Sequence, residues 1–452
     1  MSEYDVLVRG GTVVRSGYDS TIADVAITGG RIAAVGPGLA GSAAEEIDAR
    51  DLWVFPGAVD AHVHFNDPGR AEWEGFATGT AALAAGGTTT FCDMPLNASP
   101  PTLDGASFDL KRQAAEGRAR VDFGLWGGLV PGNLERLGEL AERGVVGLKA
   151  FMTNSGIADF PMADEATLWD GMVRAAELGL LVAVHAEDDA IITRETERFR
   201  GREGYSSIAN FLASRPTLAE ARAIQTAIIL AARAGCRLHI VHVSSRAGVD
   251  LVAQARGRYL DVSCETCPHY LVLTEDDVQR LGAVAKCAPP LRDAMNADLL
   301  WSALGEGLIP MVASDHSPAP PAMKAGDDFF QVWGGISGCQ HLLPMLLTEG
   351  CDRGGLALGL IAERTATFPA ARFGLARKGR IAEGYDGDLA LLERGVHDVI
   401  RAEDLRYRHQ QSPYVGRELT WRVVRTLLRG ATIYRDGQLV GEPLGRLVRP
   451  GT

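Results

Sequence analysis

The chain has 452 residues and a net charge of −12, and apolar residues make up 46% of it. This length suits an α/β barrel with one accessory domain, and the apolar content supplies a large buried core. The acidic balance argues against a nucleic-acid-binding protein, which needs a basic face. We find no run of about eighteen apolar residues and only polar or acidic residues at positions 2–5, so we expect neither a membrane span nor a secretory signal. The sequence therefore predicts a cytoplasmic protein.

The seven cysteines are scattered along the chain, and only Cys264 and Cys267 have a C-x-x-C spacing. No second pair follows to complete a zinc site of the usual kind. We therefore predict buried free thiols in a reducing compartment.

Short apolar runs separated by glycine turns occupy both ends of the chain. Residues 25–27 and 31–35 flank Gly29-Gly30, and residues 433–435 and 438–440 flank Asp436-Gly437. This pattern is typical of β-hairpins. We predict that residues 1–55 and 375–452 pair into one discontinuous, β-sandwich-like domain, and that residues 56–374 form the domain between them.

Between the two ends, apolar β-rich runs alternate with helical stretches, which predicts parallel β/α units. Eight such runs fit a (β/α)8 TIM barrel. The interval between the fifth and sixth runs is about double most of the others, and we interpret residues 194–225 within it as a helical excursion over the barrel mouth. The runs begin near Val59, Thr88, Val121, Val145, Leu181, Leu238, Leu260 and Ile309.

Residues able to bind a metal stand at the ends of five of these predicted strands. Reactive residues of a TIM barrel lie at the C-terminal ends of its strands. Because alternate residues of a strand share a face, both histidines of the H-x-H pair after the first strand can point into the barrel mouth. Imidazole and carboxylate ligands suit Zn²⁺, Mn²⁺, Co²⁺ or Fe²⁺, and the sequence does not choose among them. The candidate ligands are His62, His64, Lys149, His185, His242 and Asp315.

Over essentially its whole length the chain resembles the amidohydrolase superfamily, in particular the cyclic-amidase branch of dihydroorotases, hydantoinases and allantoinases. Two motifs carry much of this resemblance. The first is PGAVDAHVH at residues 56–64, and the second is KGRIAEGYDGDL at residues 378–389. The second motif resembles the stretch in which the chain of this superfamily leaves the barrel and re-enters the β-domain.

The resemblance implies a binuclear metal site and a hydrolytic mechanism. Lys149 would be carboxylated on its amine, which turns a cation into an anion that two divalent cations can share. Asp315 would accept a proton from the attacking water and deliver it to the departing ring nitrogen, and the two metal ions would make that water sufficiently acidic. The implied ligands are His62, His64 and Asp315 for the more buried ion, His185 and His242 for the more exposed ion, and Lys149 as the bridge.

Local departures separate the branches of this superfamily. Dihydroorotases typically carry an arginine two residues after the second histidine and a further histidine after the final aspartate, where this chain has Asn66 and Ala319. Hydantoinases commonly carry a tyrosine five residues beyond the lysine, where this chain has Asn154. The segments that resemble allantoinases are FNDPGR (65–70), EWEGF (72–76), DMPLN (93–97), ETCPHY (265–270), KCAPP (286–290) and GGISG (334–338).

The resemblance to allantoinases implies an uncharged substrate, allantoin, that is bound by amide, hydroxyl and backbone groups. It also implies a homotetramer, and it leaves His269 and His316 as structural residues or as residues that support the ligands. The expected substrate contacts are Asn66, Asn97 and Ser317, with backbone groups near Ala288 and Gly335.

Two alternatives stay open. The first is a cyclic amidase of the hydantoinase or dihydropyrimidinase type. The second is a catalytically silent structural relative. Silent relatives usually lose metal ligands, whereas this chain keeps a residue of the right type at all six positions.

Overall fold

The structure is a computed structural model that describes residues 2–17 and 20–451. Residues 1, 18, 19 and 452 lie outside this range. All four belong to the predicted terminal β-domain, and residue 1 also belongs to the N-terminal segment from which we predict a cytoplasmic protein. The strands are β1 (Tyr4–Val13), β2 (Thr21–Thr28), β3 (Arg31–Gly36), β4 (Ala43–Asp48), β5 (Trp53–Pro56), β6 (Ala58–Val63), β7 (Thr88–Asp93), β8 (Asp122–Leu125), β9 (Gly127–Gly128), β10 (Leu148–Phe151), β11 (Leu181–His185), β12 (Arg237–Ile240), β13 (Val262–Thr266), β14 (Met311–Val312), β15 (Leu389–Val399), β16 (Glu418–Leu428), β17 (Ala431–Arg435) and β18 (Gln438–Leu439).

The α-helices are α1 (Phe76–Ala85), α2 (Gly105–Ala115), α3 (Leu137–Arg143), α4 (Glu165–Glu177), α5 (Asp189–Phe199), α6 (Ile208–Ser214), α7 (Thr217–Ala234), α8 (Arg246–Gly257), α9 (Pro268–Val272), α10 (Glu275–Leu281), α11 (Ala294–Gly305), α12 (Leu342–Met345), α13 (Leu358–Ala362) and α14 (Phe368–Arg372). Two π-helical segments, Leu346–Arg353 and Glu363–Thr367, continue α12 and α13. Among the described helices, none combines the length and apolarity that crossing a bilayer requires.

Strands from both ends of the chain form one sheet. Within the described residues it has nine strands in the order β18-β17-β16-β15-β5-β1-β2-β3, with β4 paired to β1. The antiparallel pairing of β15 with β5, which opposes Leu389 to Pro56, joins the C-terminal strands to the N-terminal ones. Gly29 and Gly30 have φ angles of 58° and 77°, which glycine adopts at little cost, and they make the turn between β2 and β3. The terminal strands therefore form the predicted β-domain, and the exact boundaries at residues 55/56 and 374/375 remain a prediction.

Eight parallel strand positions close into a barrel. In order they are β6, β7, the broken strand β8–β9, and β10 to β14. The broken strand pairs with β7 through β8 and with β10 through β9. Val63 pairs with His316 beyond β14, and the His64 amide donates to the His316 carbonyl at 2.7 Å, so the last strand meets the first. The predicted (β/α)8 barrel is confirmed.

The fourth strand begins later than the sequence predicts. It runs from Leu148 to Phe151, so Lys149 lies inside it rather than after it. Just before it, Val146 and Gly147 each make one backbone hydrogen bond to the third strand, with Leu125 and Gly127, both at 3.0 Å. Lower on the same strand, Phe123 in β8 exchanges backbone hydrogen bonds with Arg446 and Val448 of the C-terminal segment, at 3.0 and 2.8 Å.

The long interval after the fifth strand folds into α5, α6 and α7, and the predicted excursion over residues 194–225 falls within it. Ser207 caps α6 by accepting a hydrogen bond from the Asn210 amide, which fixes the start of this short helix. Phe211 and Arg215, from α6 and the residue after it, line the cavity at the barrel mouth. The excursion therefore forms part of the wall of the candidate site.

Candidate functional site

His62, His64 and Asp315 converge at the mouth of the barrel. His62 lies in β6, His64 follows that strand by one residue, and Asp315 follows β14 with a φ angle of 46°. Asp315 Oδ1 lies 3.2 Å from His62 Nε2 and 3.5 Å from His64 Nε2. One ligand atom from each of the three residues falls within 4.8 Å of the others, which is compatible with a single metal ion.

A second group of ligand atoms lies beside the first. His185 Nδ1 and His242 Nε2 are 3.0 Å apart, and both side chains are buried. The ring centroids of His62 and His242 are 5.5 Å apart, so the two groups share one site. His242 follows β12 with a φ angle of 38°, a backbone conformation that L-residues rarely adopt and that often marks a functional site.

Lys149 is fully buried between these groups. No described residue accepts a hydrogen bond from its Nζ atom, which lies 5.1 Å from the centre of the Phe151 ring. Burial lowers the pKa of Lys149 to about 8. An unpartnered amine in such a place is unusual because burying a cation without a partner is costly.

These six residues fit a binuclear metal centre. Four imidazoles and one carboxylate are a donor set suited to divalent transition metals. The orphaned Lys149 amine would repel two cations as an ammonium but would bridge them once carboxylated. The site that the sequence predicts from separate strand ends is therefore brought together in space, including the lysine.

Two buried glutamates hold the histidine rings, and the sequence prediction missed both. Glu265, in β13, contacts His62 Nδ1 and also lies 3.1 Å from His239 Nε2. Glu187 lies 2.8 Å from His185 Nε2. A carboxylate bonded to one ring nitrogen of a histidine fixes the orientation and the tautomer of the ring, and it leaves the other ring nitrogen free to bind a metal. Glu187 stands two residues after His185, and this spacing was a signal available in the sequence.

The charges around these glutamates offset their burial. Burial alone raises the pKa of a carboxyl group, but Arg215 and His185 lower the pKa of Glu187 to about 2. The same balance with His62 and His239 lowers the pKa of Glu265 to about 2. Both groups are therefore ionised near neutral pH and able to accept an N–H hydrogen bond.

A cavity of about 440 Å³ opens above the ligands. Of the expected substrate contacts, Asn97, Ser317, Ala288 and Gly335 line this cavity, together with Asn154. The structure does not bring Asn66 into this wall. Its side chain is buried and lies 3.4 Å from the Pro318 carbonyl oxygen, to which it donates.

Two cations that the sequence prediction missed also line the cavity. Arg215 donates to Glu187, and Lys286 Nζ donates to the carbonyls of Phe329 and Val332, both at 2.6 Å. Burial lowers the pKa of Lys286 to about 7. Both side chains thus already have hydrogen-bond partners within the protein.

The remaining predicted residues lie behind the ligands. His269 is buried, with one ring nitrogen within 4.8 Å of ligand atoms of Cys267 and Asp315. His316 Nδ1 accepts a hydrogen bond from the Gly338 amide at 3.1 Å. All seven cysteines are buried and unpaired, Cys264 and Cys267 among them.

Comparisons with known proteins agree with this architecture. The model of the amidohydrolase family matches residues 53–433. A protein named allantoinase from Rubrobacter xylanophilus is 57% identical over 100% of this chain and 98% of its own. One of the same name from Solibacter usitatus is 53% identical over 99% and 97%.

Among solved structures, an L-hydantoinase (dihydropyrimidinase) from Arthrobacter aurescens superposes with a TM-score of 0.96 at 35% identity, covering 99% of this chain and 100% of that one. A dihydropyrimidinase from Brevibacillus agri gives 0.92 at 33% identity, covering 100% and 99%. The family model spans the barrel, and the sequence relatives and the structures also span the terminal sheet. The chain therefore belongs to the amidohydrolase family.

Proposed function

We propose that the protein hydrolyses the ring amide of allantoin to allantoate. The observation that carries this proposal is the set of six ligand-type residues that lines the cavity at the barrel mouth. The identity of the chain to two proteins named allantoinase, 57% and 53% over nearly their full lengths, supports the choice of substrate. All six ligand types are present, which speaks against the catalytically silent alternative.

The proposal includes two divalent metal ions, with Zn²⁺ as the first choice. His62, His64 and Asp315 would hold one ion, and His185 and His242 the other. Lys149, carboxylated on Nζ, would bridge them. When bound, the ions supply a water of lowered pKa and polarise the substrate carbonyl.

Asp315 is the proposed acid–base residue. Burial alone would raise its pKa, but the neighbouring histidines hold the pKa of Asp315 well below its usual range. Its carboxylate is therefore ionised and able to accept the proton of the attacking water. It would then deliver that proton to the ring nitrogen as the amide bond breaks, acting as base and then as acid.

The cavity wall suits an uncharged, urea-rich substrate. Asn97 and Ser317, with the backbone near Ala288 and Gly335, offer donors and acceptors for the ring and its ureido arm. Asn66, placed behind this wall, would act through the loop at Pro318. The carboxylate of dihydroorotate would lose its water on binding, and among the described residues of the cavity wall Arg215 and Lys286 are already engaged, so the loss of that water is costly.

A cytoplasmic location and a homotetramer complete the proposal. The seven buried free thiols support a reducing compartment. Exposed apolar side chains on two outer helices, Leu218 and Ile229 on α7 and Met295 and Leu299 on α11, support burial against further copies.

A comparison of kcat/KM for allantoin, hydantoin, 5-alkyl or 5-aryl hydantoins and dihydroorotate, at one metal loading, tests the substrate. We expect allantoin to be preferred, because a site built to bond the ureido arm disfavours substrates that leave its polar groups unpaired. A 5-alkyl or 5-aryl hydantoin as the best substrate would replace this proposal with a hydantoinase. Prolonged chelation should abolish turnover, and added Zn²⁺, Mn²⁺ or Co²⁺ should restore it.

A further inference from the structure

A buried chain of contacts connects one metal ligand to the cavity wall. His185 Nε2 lies 2.8 Å from Glu187 Oε2, and Arg215 Nη1 donates to the same oxygen. Glu187 is fully buried, and Arg215, at the end of α6, has a side chain only 17% exposed. Because Nε2 is occupied in this way, Nδ1 of His185 is the atom that faces His242.

A second branch of contacts runs from Arg215 to the loop that carries His242. The Arg215 carbonyl accepts a hydrogen bond from Arg292 Nη1 at 2.6 Å, and Arg292 Nε donates to Ser244 Oγ at 3.1 Å. The Ser244 amide in turn donates to Glu220 Oε1, on α7, at 2.7 Å. Ser244 stands two residues after His242, so the α6–α7 segment supports the backbone that presents this ligand.

The other ligand group is supported differently. His62 is held by Glu265 from β13, and the loop before Asp315 is held by the Ser314 amide, which donates to Asp60 Oδ1 at 3.0 Å. These supports come from barrel strands and the residues that follow them. The helical excursion contributes to neither of them.

We propose that Arg215 is a positioning residue which, through Glu187, holds the ligand pair His185 and His242 and so sets the affinity of one of the two metal ions. This inference rests on the proposed function. The ion at His62, His64 and Asp315 does not depend on Arg215. The helical excursion over the barrel mouth therefore does two things. It supports the ligands of one metal ion but not those of the other, and it forms part of the wall of the substrate cavity.

The test is the metal content of Arg215→Met, dialysed to equilibrium at a fixed free Zn²⁺ concentration and measured by elemental analysis. We expect two ions per chain in the unaltered protein and about one in the variant, because removing such a support weakens metal affinity about 10–100-fold. Arg222→Met is the matched control, since Arg222 lies on α7, is 67% exposed and pairs with Asp188 at 3.1 Å. The control should retain two ions.

Two further variants make the result decisive. Glu187→Gln keeps the size of the side chain but removes its charge, and it should show the same selective loss even if Arg215→Met does not fold. In a His242→Ala background, adding Arg215→Met should remove no further metal, because both changes act on the same ion.

Retention of two ions by both Arg215→Met and Glu187→Gln would overturn the inference and leave the proposed function intact. Parallel loss of both ions would also overturn it, because the support would then not be selective. An unaltered protein that binds no metal would overturn the proposed function and the inference together.

Discussion

At the scale of single residues, Asp315 is the side chain whose surroundings are most directly tied to chemistry. It lies within 3.5 Å of two histidines, and its pKa is held well below the usual range. Asp315→Asn keeps the shape and one oxygen donor but cannot accept a proton. We expect kcat to fall by about 10²-fold or more, as for the loss of a positioned acid–base group.

The measurement is kcat together with metal content, so that loss of an ion is separated from loss of the base. Asp327→Asn, on an exposed loop near the cavity, is the control and should leave kcat unchanged. If kcat of Asp315→Asn stays within a few-fold of the unaltered protein, another group must carry the proton.

Lys149 supports a second prediction. If its carboxylated amine bridges two ions, Lys149→Ala should bind much less metal and lose activity while the protein still folds. A small carboxylate such as acetate should partly restore both, because it supplies the missing anion, and chloride at equal ionic strength should not. Normal metal content in Lys149→Ala would show that the lysine is only structural.

The sequence predicted the ligand-type residues because each stands in or just beyond an apolar strand. It did not predict Glu265, because the importance of that residue arises from contacts between strands far apart in the sequence, and it missed Glu187 although Glu187 stands only two positions after His185. Asn66 was expected as a substrate contact because it stands where dihydroorotases carry an arginine that pairs with the substrate. Its side chain is instead buried behind the cavity wall and donates to the Pro318 carbonyl.

At the scale of elements, two lysines hold the loop that lines one side of the cavity. Lys286 Nζ donates to the carbonyls of Phe329 and Val332, and Lys324 Nζ donates to those of Ala283 and Gly335 at 3.1 and 2.7 Å. Lys286 also lies 4.6 Å from the centre of the Phe211 ring, which connects the loop to α6. The loop is thus fixed by two lysine side chains whose Nζ atoms donate hydrogen bonds to backbone oxygens.

Lys286→Met should loosen this loop, because buried carbonyls that lose a charged donor pay their desolvation cost. We expect faster amide hydrogen exchange over residues 326–335 and a higher KM, with a smaller change in kcat. Asp327→Asn again serves as the control because it lies on the same loop and is exposed. Unchanged exchange in Lys286→Met would mean that packing alone holds the loop.

The start of a barrel strand could be predicted where a local sequence pattern marked it. The second barrel strand begins at Thr88 as predicted, since a run of β-branched threonines, which favour strands, follows directly after Gly86-Gly87. The fourth begins at Leu148 rather than near Val145, and nothing in the sequence indicated that the C-terminal segment pairs with the third strand at Phe123. A contact between residues more than three hundred positions apart leaves no local signal in the sequence.

At the scale of the whole molecule, one charged cluster connects the barrel to the terminal sheet. Lys378 Nζ lies 2.6 Å from Asp122 in β8, 2.9 Å from Asp386 and 2.8 Å from Asp388. Burial alone would lower the pKa of Lys378, but these carboxylates hold its pKa above the usual value. Three carboxylates within 4.8 Å of one another resemble a cation site, and here the lysine ammonium supplies the cation.

Lys378→Met should therefore destabilise the whole protein, because it leaves buried carboxylates without their cation. Removing one partner of a buried ion pair typically costs about 3–5 kcal/mol. We expect the free energy of unfolding, measured in urea, to fall by about this amount. The barrel and the terminal sheet should unfold together. Arg377→Met is the control: its guanidinium lies 3.5 Å from Asp386 and is 46% exposed, so its loss should cost about 1 kcal/mol or less. Folded Lys378→Met should still bind its metal ions, since the cluster contributes none of the ligands. An effect no larger than that of the control would mean that Arg429, which also contacts Asp122, is sufficient to hold the two parts together.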